Sequence, residues 1–132
     1  MRVSMSVIKS WANAWTTSGR MDEEVTLPCI LGCEGCEDAL SHYICCDPLW
    51  TAVISSSNGS EEQLQLSPLA RLCLESPTLD CARQLTVAFS TYHALKLAHR
   101  DLVDSCVGSG DFHSIQNKLV PLAAAFAKEI ID

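Results

Sequence analysis

Apolar residues recur along this chain at steps of three and four, broken by short polar stretches that contain glycine or proline. Val3, Val7, Ile8, Trp11, Ala12, Ala14 and Trp15 follow a helical period and predict an amphipathic helix over residues 3–16, closed by Thr16-Thr17-Ser18-Gly19. Trp11 and Trp15 share a face of that helix with Val7 and Ile8, so both are expected in the core. Residues 20–37, with Pro28, Gly32 and Gly35, read as loop. Asp38 stands where it would cap a short helix from Ala39 to Cys46, and Pro48 would end it by restricting Asp47. Leu49 to Ile54 predicts another turn or two. The run Ser55-Ser56-Ser57-Asn58-Gly59-Ser60 reads as flexible. Ser67-Pro68 has the cap-then-proline order of a helix start, covering Leu69, Leu72 and Cys73.

The longest helix is expected over about residues 79–104, where Leu79, Ala82, Leu85, Phe89, Tyr92, Leu95, Ala98 and Leu102 share one stripe. Gly108-Ser109-Gly110 ends it. Asp111 then caps a last helix through Ile115, Leu119, Leu122, Phe126 and Ile130, with Pro121 expected to kink it or delay its start. No alternating strand pattern, repeat or heptad emerges. The fold class is mainly α: a small helical domain with one irregular, cysteine-rich segment. Its expected parts are an N-terminal amphipathic helix (1–20), the cysteine-rich segment (21–54), a flexible loop (55–66) and a helical tail (67–132).

Composition adds little to this until the cysteines are placed. The chain is 48% hydrophobic and 19% charged, which suits a packed domain and excludes a disordered one. No apolar run reaches the roughly 18 residues of a membrane span, and the N-terminus has no long apolar core of a signal peptide. The expectation is an intracellular protein, nuclear or cytoplasmic, that engages no membrane. Eight cysteines are present, and five of them lie between Cys29 and Cys46. Clustered thiols without an export signal point to metal rather than to a disulfide framework. Cys73, Cys81 and Cys106 sit among apolar helical residues and read as small buried hydrophobes.

Zinc takes four thiolate or imidazole ligands in a tetrahedron. Cys29 and Cys33 flank a glycine-containing turn. His42 and Cys46 are four apart, which on a helix puts them on one side. Together they form a Cys-x3-Cys-x8-His-x3-Cys set. Cys33, Cys36, His42 and Cys46 form a second, more compact set, and Cys45 is a substitute for Cys46 in either. With all four positions filled by protein, one zinc would be structural, and its binding would be coupled to folding of residues 25–50.

Other chemistry finds no support in the spacing. His93, His99 and His113 have no evident catalytic partner, and Asp101 and Asp104 read as a solvated helix face. There is no Walker-type phosphate loop, Gly-x-Ser-x-Gly elbow or His-Glu-x-x-His motif. The Cys33-x2-Cys36 and Cys45-Cys46 pairs lack the βαβ setting of a thioredoxin-type site. The expectation is a protein that is not an enzyme.

The run from Val7 to Ser18, followed by Leu27-Pro28-Cys29-x3-Cys33, Asp38-Ala39-Leu40-Ser41-His42-Tyr43-x2-Cys46, Leu49-Trp50 and Ala88–Lys96, carries a resemblance. It is similar to the zinc-knuckle region downstream of the reverse transcriptase domain in non-LTR (LINE-like) retrotransposon polyproteins of dinoflagellate type, over roughly residues 7–100. The resemblance implies Cys29, Cys33, His42 and Cys46 as the ligands, leaving Cys36 and Cys45 as extra thiols. It also implies a non-catalytic remnant of such a polyprotein, because no Tyr/Phe-x-Asp-Asp motif and no recognisable endonuclease occur here. Ancestral binding of RNA or single-stranded DNA would place Lys9, Arg20 and Arg2 on phosphates. Charge argues against that role for the isolated chain: residues 1–20 carry +3, but residues 21–66 carry −9 with no base. The alternative is a protein-interaction module in which zinc only organises a helical scaffold and the N-terminal helix meets a partner.

Overall fold

Helix-forming periodicity dominates the chain, and helices dominate its structure. The computed structural model describes residues 2–18 and 26–131. Among these, the chain forms α1 (Arg2–Trp11), α2 (Leu40–Tyr43), α3 (Asp47–Ser56), α4 (Pro68–Arg71), α5 (Leu79–His93), α6 (Arg100–Ser109) and α7 (His113–Ile131), with a 3-10 turn at Glu61–Gln65 and a π-helical turn at Ala94–Ala98. The only strand-like pairing among the described residues is an isolated antiparallel bridge between Pro28 and Glu37. The mainly α expectation therefore holds.

Helix α5 is central. It packs against α7, α1, α3 and α4, while α3 also packs against α7. Its buried residues Leu85, Val87, Ala88 and Tyr92 share one core with Ile115, Leu119, Ala123 and Ala127, which recur every fourth residue along α7. Helix starts obey local chemistry. Ser67 Oγ accepts the Ala70 N–H at 3.2 Å and Pro68 follows it, as expected of α4. Thr78 caps α5 in the same way, accepting from Cys81 N at 3.1 Å. Asp111 Oδ1 accepts from His113 N at 3.0 Å, and α7 runs through Pro121 without a delayed start.

Four expectations are corrected. Helix α1 ends at Trp11 because Asn13 takes a left-handed backbone (φ 53°), so Trp11 and Trp15 part company. Trp15 is wholly buried, whereas Trp11 is 51% exposed and held by its indole N–H on Leu72 O at 2.6 Å. The expected 79–104 helix breaks at the π-helical turn and at His99. The extra residue shifts the apolar stripe, so that Val103, not Leu102, is buried in α6. The 55–66 segment contains the 3-10 turn rather than loop throughout. Asp38 caps no helix: Ala39 occupies the position before α2, with no side-chain cap.

Asp38 has a different task. It is fully buried, and its carboxylate accepts from Tyr43 Oη at 2.6 Å, Tyr92 Oη at 2.7 Å, the Ser18 N–H at 2.8 Å and the Lys96 ammonium. Lys96 is 1% exposed and lies in the π-helical turn. A wider turn places a lysine inside a stripe that would otherwise be apolar. Above this ion pair, Trp15 stacks on Tyr92 (5.2 Å) and Tyr43 (6.2 Å), with Phe89 edge-on at 5.8 Å. Trp15 Nε1 donates to Ser10 Oγ, which donates to Ser6 O. His93 Nδ1 lies 2.8 Å from Phe89 O, and its Nε2 accepts the Thr16 N–H at 3.2 Å, which fixes the neutral tautomer with its proton on Nδ1.

Burial disfavours the Asp38 carboxylate, but the hydrogen bonds from Lys96, Tyr43, Ser18 and Tyr92 outweigh it and hold its pKa below the ordinary 3.8. Its ionised form thus stabilises the fold above the ordinary carboxylate pKa, and that contribution disappears as pH falls through the lowered value. Urea titrations of wild type should lose stability below about pH 4, and Asp38→Asn should flatten that acid limb. Lys96→Met leaves a buried, unpaired carboxylate and should cost about 3–5 kcal/mol in urea denaturation at neutral pH.

Candidate metal centre

Residues 27–38 form a small hairpin that the glycines make possible. Cys29 N donates to Cys36 O at 2.9 Å and Asp38 N to Leu27 O at 2.8 Å. At the tip, Gly32 N donates to Cys29 O at 3.1 Å, and Gly32 (φ 92°) and Gly35 (φ 70°) turn the chain through left-handed conformations. The hairpin presents Cys29 and Cys33. Tyr43 ties it to α2, because its hydroxyl takes the Ile30 N–H at 3.1 Å while donating to Asp38. The last helix closes the other side: Phe112 packs on Gly32, and Gln116 Nε2 donates to Leu31 O at 3.2 Å.

His42 lies on α2. Cys46 does not lie on that helix, as its spacing from His42 had suggested; it has an extended backbone and occupies the cap position of α3. The convergence survives this change, because Cys45 N and Cys46 N fold back onto His42 O and Tyr43 O. One ligand atom each from Cys29, Cys33, His42 and Cys46 lies within 4.8 Å of all the others. Cys46 Sγ is 4.0 Å from Cys29 Sγ and 3.8 Å from Cys33 Sγ. These separations are close to the roughly 3.8 Å edge of a tetrahedron with 2.3 Å metal–sulfur bonds and far beyond a disulfide of about 2.05 Å. Cys36 and Cys45 stand outside this group: Cys36 is half-buried, and Cys45 is exposed.

Two further observations fit a metal. His42 Nε2 is buried with no hydrogen-bond partner, which is costly for a ring nitrogen unless it serves as a ligand. Backbone amides also face the sulfurs, with Leu31 N donating to Cys29 Sγ at 3.4 Å. Without a metal, the thiols share protons unequally. The hydrogen bond with Cys46, against the cost of burial, brings the Cys29 pKa down to about 5, aided by the amides of Cys33 and Leu31 and by His42. Cys46 is pushed up by that same bond, by burial and by the Cys29 charge. Cys33 is pushed up to about 11, first by burial and then by Cys29. Three thiols and one imidazole, two of the thiols fully buried, form a set that can hold a metal ion.

Of the expected phosphate contacts, the structure describes only Lys9. Lys9 is exposed, with its ammonium 5.9 Å from the Phe89 ring centroid. Arg20 lies outside the described residues, as does the Arg2 side chain. No helix among the described residues is long and apolar enough to cross a membrane. Sequence reasoning missed Asp38 as a buried acceptor and Arg71 as a buried cation beside this segment; neither is marked by spacing. No family model, curated protein or solved structure matches the chain.

Gly32 gives a direct test of the hairpin. A Cβ there would sit 2.9 Å from Phe112 Cβ on a backbone that side chains disfavour. Gly32→Ala should lower stability by about 1–3 kcal/mol in thermal or urea unfolding, whereas Gly35→Ala, with open space around it, should cost only its backbone strain.

Proposed function

We propose that this chain is a non-catalytic helical interaction module whose fold is organised by one structural zinc ion. Cys29, Cys33, His42 and Cys46 would hold it. The observation that carries this reading is the convergence of their four ligand atoms within 4.8 Å. Three sulfurs and one nitrogen favour zinc over magnesium or calcium, which take oxygen ligands. Bound there, the ion would supply cross-linking, joining the 27–38 hairpin to the α2–α3 junction.

The interaction reading rests on the surface. Met5, Ile8 and Trp11 on α1, with Leu74 and Leu79, are apolar and exposed. Trp11 is held rigid by its bond to Leu72 O, which suits a preformed contact. The net charge of −7 and the absence of any base in residues 21–66 disfavour a phosphate backbone as partner. Descent from a retroelement polyprotein rests on the sequence resemblance alone.

Native mass spectrometry of the purified chain is expected to show one zinc, lost on chelation together with helical circular dichroism and tertiary signals. Cys46→Ser should abolish zinc retention, and Cys45→Ser should leave it unchanged. A folded chain without zinc, or equal effects of the two substitutions, would refute the reading.

A further inference from the structure

Arg71 is a charge that the packing alone does not explain. It sits at the end of α4, is 7% exposed, and has no carboxylate within ion-pair distance among the described residues. Nη1 donates to Ile44 O at 2.8 Å and Nη2 to Leu64 O at 3.0 Å. Its guanidinium carbon is 4.9 Å from the Trp50 ring centroid, while Nε is buried with no partner. Two carbonyls and an aromatic face orient a guanidinium but do not neutralise it, and an uncompensated buried cation is costly.

The position of these partners is informative. Ile44 stands two residues before Cys46, and Trp50 is in the first turn of the helix that Cys46 caps, with Trp50 N donating to Cys46 O at 3.1 Å. Arg71 is therefore fastened to both sides of Cys46. The acidic groups acting on it are Cys45, Asp47 and Cys46; Cys45 and Asp47 are exposed, whereas Cys46 is fully buried. Three thiolates, one neutral imidazole and a divalent ion sum to a net charge of minus one.

We propose that Arg71 is the counter-ion of the metal-loaded Cys29–Cys33–His42–Cys46 centre, a positioning residue that offsets this negative charge through the Cys46 side. This inference rests on the zinc reading above. The neighbouring N-terminus of α3 contributes in the same sense, since the Leu49 amide faces Cys46. A counter-ion beside a thiolate centre strengthens metal retention and makes the sulfurs less nucleophilic toward electrophiles.

The test compares Arg71→Gln, which keeps amide donors and loses the charge, with Arg71→Lys, which keeps the charge and loses the fork. Zinc affinity is read by competition with a chromophoric chelator, and thiolate reactivity by zinc release under N-ethylmaleimide. Arg71→Gln is expected to weaken zinc about tenfold or more, in the range for outer partners of a metal site, and to speed alkylation-coupled release. Arg71→Lys should stay within about threefold of wild type on both readouts. In a Cys33→His background, where the loaded centre is neutral, the Arg71→Gln loss should shrink.

Wild-type values in Arg71→Gln, equal impairment of both Arg71 variants, or strictly additive losses with Cys33→His would overturn the proposal while leaving the zinc reading intact. A wild-type chain that holds no zinc would instead overturn the zinc reading, and this proposal with it. Should Arg71→Gln not fold, Arg71→Lys decides: retention within threefold upholds the counter-ion, and a tenfold loss shows that Arg71 is only a carbonyl clip.

Discussion

The Asp38–Lys96 ion pair lies where the N-terminal segment, the cysteine hairpin and the helical tail meet. Moving a carboxylate and an ammonium out of water costs several kcal/mol each, and their attraction offsets this only when the remaining lone pairs are filled. Here they are filled by Tyr43, Tyr92 and the Ser18 amide. Each donor comes from a different stretch of chain, so satisfying one carboxylate fixes several segments relative to one another. The aromatic stack of Trp15, Tyr43 and Tyr92 then covers the polar centre and keeps water from competing for its hydrogen bonds.

That arrangement reaches the cysteine cluster through Tyr43. Its hydroxyl joins Asp38 to the Ile30 amide, between Cys29 and Cys33, and its carbonyl accepts from Trp50 Nε1 at 2.8 Å. One residue thus braces both halves of the ligand set, and it follows His42 directly in the chain. Burial and the Asp38 charge push its phenol pKa upward, so it stays a donor at any physiological pH. From the opposite side, Gln116 and Phe112 hold the hairpin tip against the last helix. The four ligand atoms are therefore positioned by the protein's own hydrogen bonds as well as by their place in the chain.

Much of the helix content was legible, because apolar spacing and cap residues act locally: Ser67-Pro68 and the four-residue repeat of α7 appear where the pattern put them. The Cys29–Cys33 half of the ligand set was legible for the same reason, since the two flank a turn that Gly32 marks. What escaped was non-local. Asp38 precedes Ala39 as a cap would, and nothing in the surrounding residues announces a lysine fifty-eight positions away. The π-helical turn was hidden because Leu95, Ala98 and Leu102 keep a good helical period; the burial of Lys96, and of Val103 in place of Leu102, reveals the added residue. Trp11 and Trp15 looked alike because the periodicity ran past the point where Asn13 turns left-handed.

The buried pair also restricts how this sequence can drift. Replacing either Asp38 or Lys96 alone strands a charge in the interior, whereas replacing both by apolar residues of similar volume removes the penalty. The path between those two states crosses a poorly folded intermediate, so the two positions are epistatic. Among descendants of this chain they should change together or not at all, while Tyr92, which gives Asp38 a neutral donor, can lose its hydroxyl at smaller cost. A genealogy of the fold would then record its history at these two sites as paired steps, not as independent substitutions.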